Sequence, residues 1–165
     1  MRRPTPDPVG PGQESVWDYP RPPRLERTEA LIEVVLGGAV IASSQGGWRV
    51  LETSHPPTYY VPREAFTEGV LRPASRASWC EWKGQASYFD LLTETAVASG
   101  AAWTYLEPSA GFEPMAGAVA VNAGRVEECR VDGEVVTPQP GDFYAGWVTS
   151  SIVGPFKGVP GSAGW

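Results

Sequence analysis

Two short segments of this chain hold most of its reactive side chains. The first, Leu51-Glu52-Thr53-Ser54-His55-Pro56-Pro57-Thr58-Tyr59-Tyr60-Val61-Pro62, carries the only histidine. The second, Trp79-Cys80-Glu81-Trp82-Lys83-Gly84-Gln85-Ala86-Ser87-Tyr88-Phe89, packs a thiol, an amine and four large aromatics into eleven residues. His55 is the one side chain whose ordinary pKa lies near neutrality, which suits proton transfer, and Pro56-Pro57 would hold its ring on a stiff segment. The competing reading is a histidine that caps a turn or bonds a carbonyl. Lys83, between Trp82 and Gly84, can bury its stem and turn its head inward to anchor an anion, polarise a carbonyl or form a Schiff base. The alternative is a solvated amine lying over tryptophan.

The remaining candidates divide in the same way. Cys80 beside a cation can act as a thiolate nucleophile, but cysteine is among the most commonly buried residues and packing is the favoured reading. Tyr60, Trp82, Tyr88, Trp103 and Tyr105 either line a pocket, with polar tips available, or form the core. Glu52 lies three residues before His55, an offset that in a strand puts the two on opposite faces unless the chain bends. The resulting assignment places His55, Lys83 and Tyr60 as catalytic and Glu52, Trp82, Tyr88, Trp103 and Tyr105 as substrate-binding.

These residues need a scaffold. A length of 165 residues suits one well-buried domain. Seventeen prolines and nineteen glycines mark many turns and few long helices. Ala30 to Leu36 and Ala39 to Ala42, joined by Gly37-Gly38, predict a hairpin, and Trp48 to Glu52 predicts a third strand after a turn at Gly46-Gly47. Arg63 to Phe66 suits one helical turn. Gln85 to Leu92 and Ala101 to Leu106 read as strands, Met115 to Asn122 as a small apolar run, and Val126 to Val131 with Glu134 to Val136 as a further hairpin across Asp132-Gly133. No long segment shows helical periodicity, so the expected fold is antiparallel and mostly β. Residues 1–16 are rich in proline and poor in apolar side chains, and predict a disordered arm. The main domain is expected over 17–136. The aromatic, glycine-rich stretch 137–165 is expected to be an ordered extension folding back on the core or onto a second subunit.

Composition excludes some partners. A net charge of −6 offers no cationic face for phosphates, which argues against nucleic acid. No apolar run reaches membrane-span length and the N-terminus lacks a hydrophobic signal region, so a soluble, cytoplasmic protein with no membrane partner is expected. Two distant cysteines predict free thiols, and three Cys and His side chains in total lack the close pairing of a zinc site.

The motifs Glu52-Thr53-Ser54-His55-Pro56-Pro57 with Tyr59, Tyr60 and Pro62, then Cys80-Glu81-Trp82-Lys83-Gly84 with Ala86 and Tyr88, then Ala102-Trp103-Thr104-Tyr105 with Pro108, resemble the DUF427 family over about residues 25–122. The resemblance implies a β-tent domain, in which coiled antiparallel sheets lean together over a cleft. Many β-tent proteins hold zinc between paired CxxC motifs; neither pair occurs here, so that metal does not carry over. A nucleotidyltransferase label attached to the family finds no Gly-Ser and Asp-x-Asp pattern in this chain. Fold analogy supplies no mechanism.

Three functions remain open. One is a cofactor-independent enzyme using acid–base chemistry on a small organic molecule, of the isomerase, cyclase or dehydratase type. Another is a non-catalytic binder of a small molecule, with an anion among the candidate ligands. The third is an interaction module, with a homodimer formed through the C-terminal extension. His55 and Lys83 occurring together near aromatics favour the enzyme, with no cofactor implied, because pure binding does not require both.

Overall fold

A computed structural model describes residues 3–165. The strands, in chain order, are β1 Glu14–Ser15, β2 Arg24–Leu36, β3 Ala39–Leu51, β4 Thr58–Tyr60, β5 Leu71–Cys80, β6 Gly84–Leu92, β7 Val97–Thr104, β8 Val119–Val121, β9 Glu128–Val131, β10 Glu134–Val135, β11 Thr137–Pro138, β12 Trp147–Val148 and β13 Ile152–Val153. Among the described residues each helical segment is a single 3-10 turn of three residues. The protein is mostly β, and its two main sheets are antiparallel. None of the described helices is long and apolar enough to cross a membrane.

One sheet has the order β10-β9-β2-β3-β4 and the other β5-β6-β7-β8. They meet where Val61, just past β4, exchanges both backbone hydrogen bonds with Val119 of β8, at 2.9 and 2.8 Å. Next to this seam the chain alternation of β4 sends neighbouring tyrosines to opposite sides. Tyr59 joins the main core with Ile32, Val34, Leu91, Val119 and Trp147. Tyr60 joins a second cluster with Val50, Ala86, Tyr105, Met115 and Ala120. The second cluster is the floor on which the candidate site is built.

The β2–β3 hairpin turns at Gly37-Gly38, both with positive φ of 62° and 76°, the requirement of the tight mirror-image turn that continues strand twist. Gly46-Gly47 does not turn the chain as expected. β3 runs straight through, and the register against β2 shifts between Thr28 and Leu31 instead. The pair is there because β4 crosses closely: a Cβ on Gly47 would stand 2.5 Å from the carbonyl oxygen of Tyr60.

The arm expected to be disordered is described from Arg3 onward. Residues 1 and 2 lie outside the described residues. From Arg3 onward the arm lies on the C-terminal segment: the Asp7 amide donates to Gly154 O at 2.8 Å, and β1 pairs parallel with β13. Val16, Trp17 and Tyr19 then bury with Leu51 and Ile152 in a third cluster. Composition describes what a segment can bury alone; here a distant segment supplies both the apolar cover and the backbone partners.

Candidate functional site

A cleft of about 520 Å³ opens above the second cluster, and all eight sequence-nominated residues line it, together with Cys80. Its lining comes from the segment after β3, the β5–β6 hairpin, β7 and the residue after it, the turn after β8, and the extension beyond β11.

The bend that joins Glu52 to His55 is local. The His55 amide donates to Glu52 O at 3.0 Å, closing a turn whose third residue, Ser54, has φ of 74°. Such a position favours glycine. Ser54 is held there by its neighbours, its N–H donating to Val16 O at 3.1 Å and its carbonyl accepting from Lys157 N at 2.9 Å. The result reverses the strand expectation: Glu52 Oε2 stands 3.6 Å from His55 Nε2, and it also meets Arg21 at 3.4 Å. Ser54 Oγ is buried without a hydrogen-bond partner among the described residues. Ser54→Gly should therefore raise stability by about 1 kcal/mol, since relief of the positive φ and of the orphan hydroxyl exceeds the added freedom of the unfolded chain. Urea denaturation reads the change; a loss of stability would show that the serine is not strained.

His55 is fixed by Gln139. The Gln139 Oε1 accepts from Gly146 N at 3.0 Å and its Nε2 donates to Lys157 O at 2.9 Å, which settles the orientation of the amide. The same Nε2 lies 3.0 Å from His55 Nδ1, so Nδ1 must accept and the proton of the neutral ring sits on Nε2, facing Glu52. Tyr144 packs edge-on against the imidazole, with centroids 4.7 Å apart. Burial, then the charges of Lys157, Arg21 and Lys83, lower the His55 pKa to about 4. At neutral pH the residue is thus an oriented Nε2–H donor. A pKa of about 4 lies below the near-neutral value from which proton transfer was expected of this residue.

Tyr60 is fully buried, and its hydroxyl accepts from Trp103 Nε1 at 3.3 Å. Burial pushes its pKa well up, and Tyr105 is raised for the same reason, so both hydroxyls keep their protons. Tyr60, expected to be catalytic, lies in the floor as a proton-bearing hydroxyl, beside Trp103 and Tyr88, whose rings lie 6.2 Å apart. The Tyr88 hydroxyl is 2.9 Å from Ser78 Oγ.

Lys83 sits at the tip of the β5–β6 hairpin, half-buried, with Nζ 5.7 Å from the Tyr105 ring centre. Arg76 stacks over Tyr88 at 4.5 Å. Lys157, from the extension, lies 5.6 Å from the Tyr144 ring centre and donates to Trp165 O at 3.2 Å. Lys157 lines the cleft too, and among the described residues none of the other lining cations, Arg76, Lys83 and Arg125, forms an ion pair. The lining carboxylates are Glu52, engaged by Arg21 and His55, and the exposed Glu81 and Asp142. The described residues gather no group of three or more His, Cys, Asp or Glu side chains suited to a metal ion. Sequence reasoning nominated neither Gln139 nor Tyr144 as a site residue, although both lie in the aromatic extension it expected to fold back on the core or onto a second subunit; they stand 84 and 89 residues beyond His55.

Two antiparallel sheets, joined at one seam and opening over an aromatic-floored, cation-lined cleft, define an all-β cleft domain. The chain belongs to the DUF427 family, a domain of unknown function, whose model matches residues 24–132. The match includes the Glu52–His55 turn and the Lys83 hairpin and stops before Gln139, Tyr144 and Lys157. No protein with a curated description matches the chain.

Proposed function

We propose that the cleft binds a small organic anion. The observation that carries this reading is the set of three cationic side chains, Arg76, Lys83 and Arg125, lining one concavity without carboxylate partners among the described residues. A lysine head held over an aromatic floor is a point charge waiting for a counter-ion, and His55 Nε2–H adds a neutral donor at the same site.

The test is calorimetry and thermal shift with a panel of carboxylates, sulfonates and phosphate esters, each beside its neutral amide or alcohol. At least one anion class should bind, with affinity falling as salt rises. Lys83→Ala should weaken it about tenfold or more, the scale of one hydrogen bond to a charged group. Failure of every anion, or equal binding by wild type and Lys83→Ala, would overturn the reading.

A second reading is acid–base catalysis on that anion, of the isomerisation, cyclisation or dehydration type, and the Glu52–His55 pair favours it. The Glu52 carboxylate is then the proton acceptor, while His55 Nε2–H and Lys83 stabilise negative charge that develops on the substrate. Once an anion is found, Glu52→Gln separates the cases: turnover lost with binding kept supports catalysis, and wild type that binds without converting it supports a binder.

A further inference from the structure

Seven large hydrophobic side chains are exposed among the described residues, and only two of them are aromatic: Trp79, 74% exposed, and Phe143, 87% exposed. Those two, and none of the other five, line the cleft. Single exposed apolar residues need no explanation, but two bare rings bordering the one cation-lined concavity do.

Their placement differs from that of the buried aromatics. Trp79 stands near the end of β5, paired with Gln85, four residues before Lys83. Phe143 lies in the loop between β11 and β12, edge-on to Tyr144 at 5.0 Å; Tyr144 in turn meets His55. A train of rings thus runs from the rim through Tyr144 to the histidine. On the hairpin side Arg76 and Lys83 are held over Tyr88 and Tyr105. The lining therefore offers flat apolar faces at its mouth and cations over its aromatic floor.

We infer that the ligand of this cleft is an aromatic or extended conjugated acid, its ring taken by Trp79 and Phe143 and its anionic group by Lys83 and Arg76. This rests on the anion-binding reading above and narrows it to a chemical class. A saturated acid of the same size satisfies the cations but leaves the two rim rings without the offset-stacked or edge-to-face partner that aromatic pairs favour.

The experiment compares benzoate with cyclohexanecarboxylate, its saturated counterpart of the same carbon skeleton, on the full chain by calorimetry, for wild type, Trp79→Ala, Phe143→Ala and Trp79→Phe. Wild type should bind the aromatic acid about tenfold tighter. Each alanine variant should cut that ratio about threefold, weakening the aromatic acid more than cyclohexanecarboxylate, with the melting temperature unchanged, and Trp79→Phe should keep most of the ratio. Equal affinity for the two acids in wild type, or a ratio that neither alanine variant moves, overturns the inference and leaves the anion reading standing. Loss of a dimer in either alanine variant, seen by sedimentation, would show the rings to be a subunit contact and also overturn it. Failure of both acids to bind wild type overturns the inference, and the wider anion panel above then decides the reading beneath it.

Discussion

Trp147→Ala should cost about 4 kcal/mol of stability, the upper range for truncating a buried tryptophan, and lower the melting temperature by roughly 10 °C for a chain of this size. Trp147 is 2% exposed and sits in the main core, although it lies outside the stretch matched to the family. Its ring stacks on Tyr59 at 5.1 Å, its Nε1 donates to Val121 O at 3.0 Å, and its own N–H donates to Pro57 O at 2.8 Å. Alanine keeps the last bond, leaves a cavity against Tyr59 and strips the Val121 carbonyl of its side-chain donor. The loss should propagate to the cleft, because the preceding Gly146 supplies the N–H that orients Gln139, and Gln139 orients His55. Chemical denaturation checks the first part. A histidine NMR signal that shifts and broadens in the variant checks the second. A melting temperature within 2–3 °C of wild type would show that the extension is a surface strap and not part of the core.

What the sequence made legible follows physical locality. Hairpins at Gly37-Gly38 and Asp132-Gly133 were readable because the turn chemistry and the flanking apolar runs lie within a dozen residues. β5 was not, since Arg72, Arg76 and a run of serines and alanines lie largely exposed along it, leaving no periodicity to detect. Gly46-Gly47 misled because glycine serves both turning and close approach, and only the position of Tyr60 O decides between them. The candidate site shows the same division. Its aromatic and cationic members stood out by residue type, and the structure brings them to one cleft. Their chemistry did not stand out. That depends on Ser54 taking a positive φ, which moves Glu52 beside His55, and on Gln139 arriving from 84 residues away to occupy Nδ1. Both are tertiary facts, enforced by Val16 and Lys157 at the two ends of the chain.

The pH response of the fold should expose that arrangement. The His55 side chain is 13% exposed and its pKa is lowered to about 4, first by burial and then by Lys157, Arg21 and Lys83. In the unfolded chain it returns to about 6.5. Between those values the unfolded state binds a proton that the folded state does not, so unfolding free energy rises with pH across the window and is level above it. The contribution is fully present above pH 6.5 and lost as pH falls toward 4, to a total of about 3 kcal/mol. Carboxylates also titrate at the acid end, so the quantity to measure is the difference between wild type and His55→Gln, which lacks the titrating ring. Because His55 is the only histidine, its imidazole signals read the native pKa without assignment. An inflection near 6.5, or identical pH slopes in the two proteins, would show that the ring is neither desolvated nor held by Gln139. Gln139→Glu gives the opposite sign. A carboxylate at Nδ1 accepts where the amide donated, which stabilises the imidazolium and should bring the inflection back up by two pH units or more, flattening the acid limb of the stability curve. If the inflection stays near 4 in that variant, burial alone sets the titration and the Gln139 contact does not.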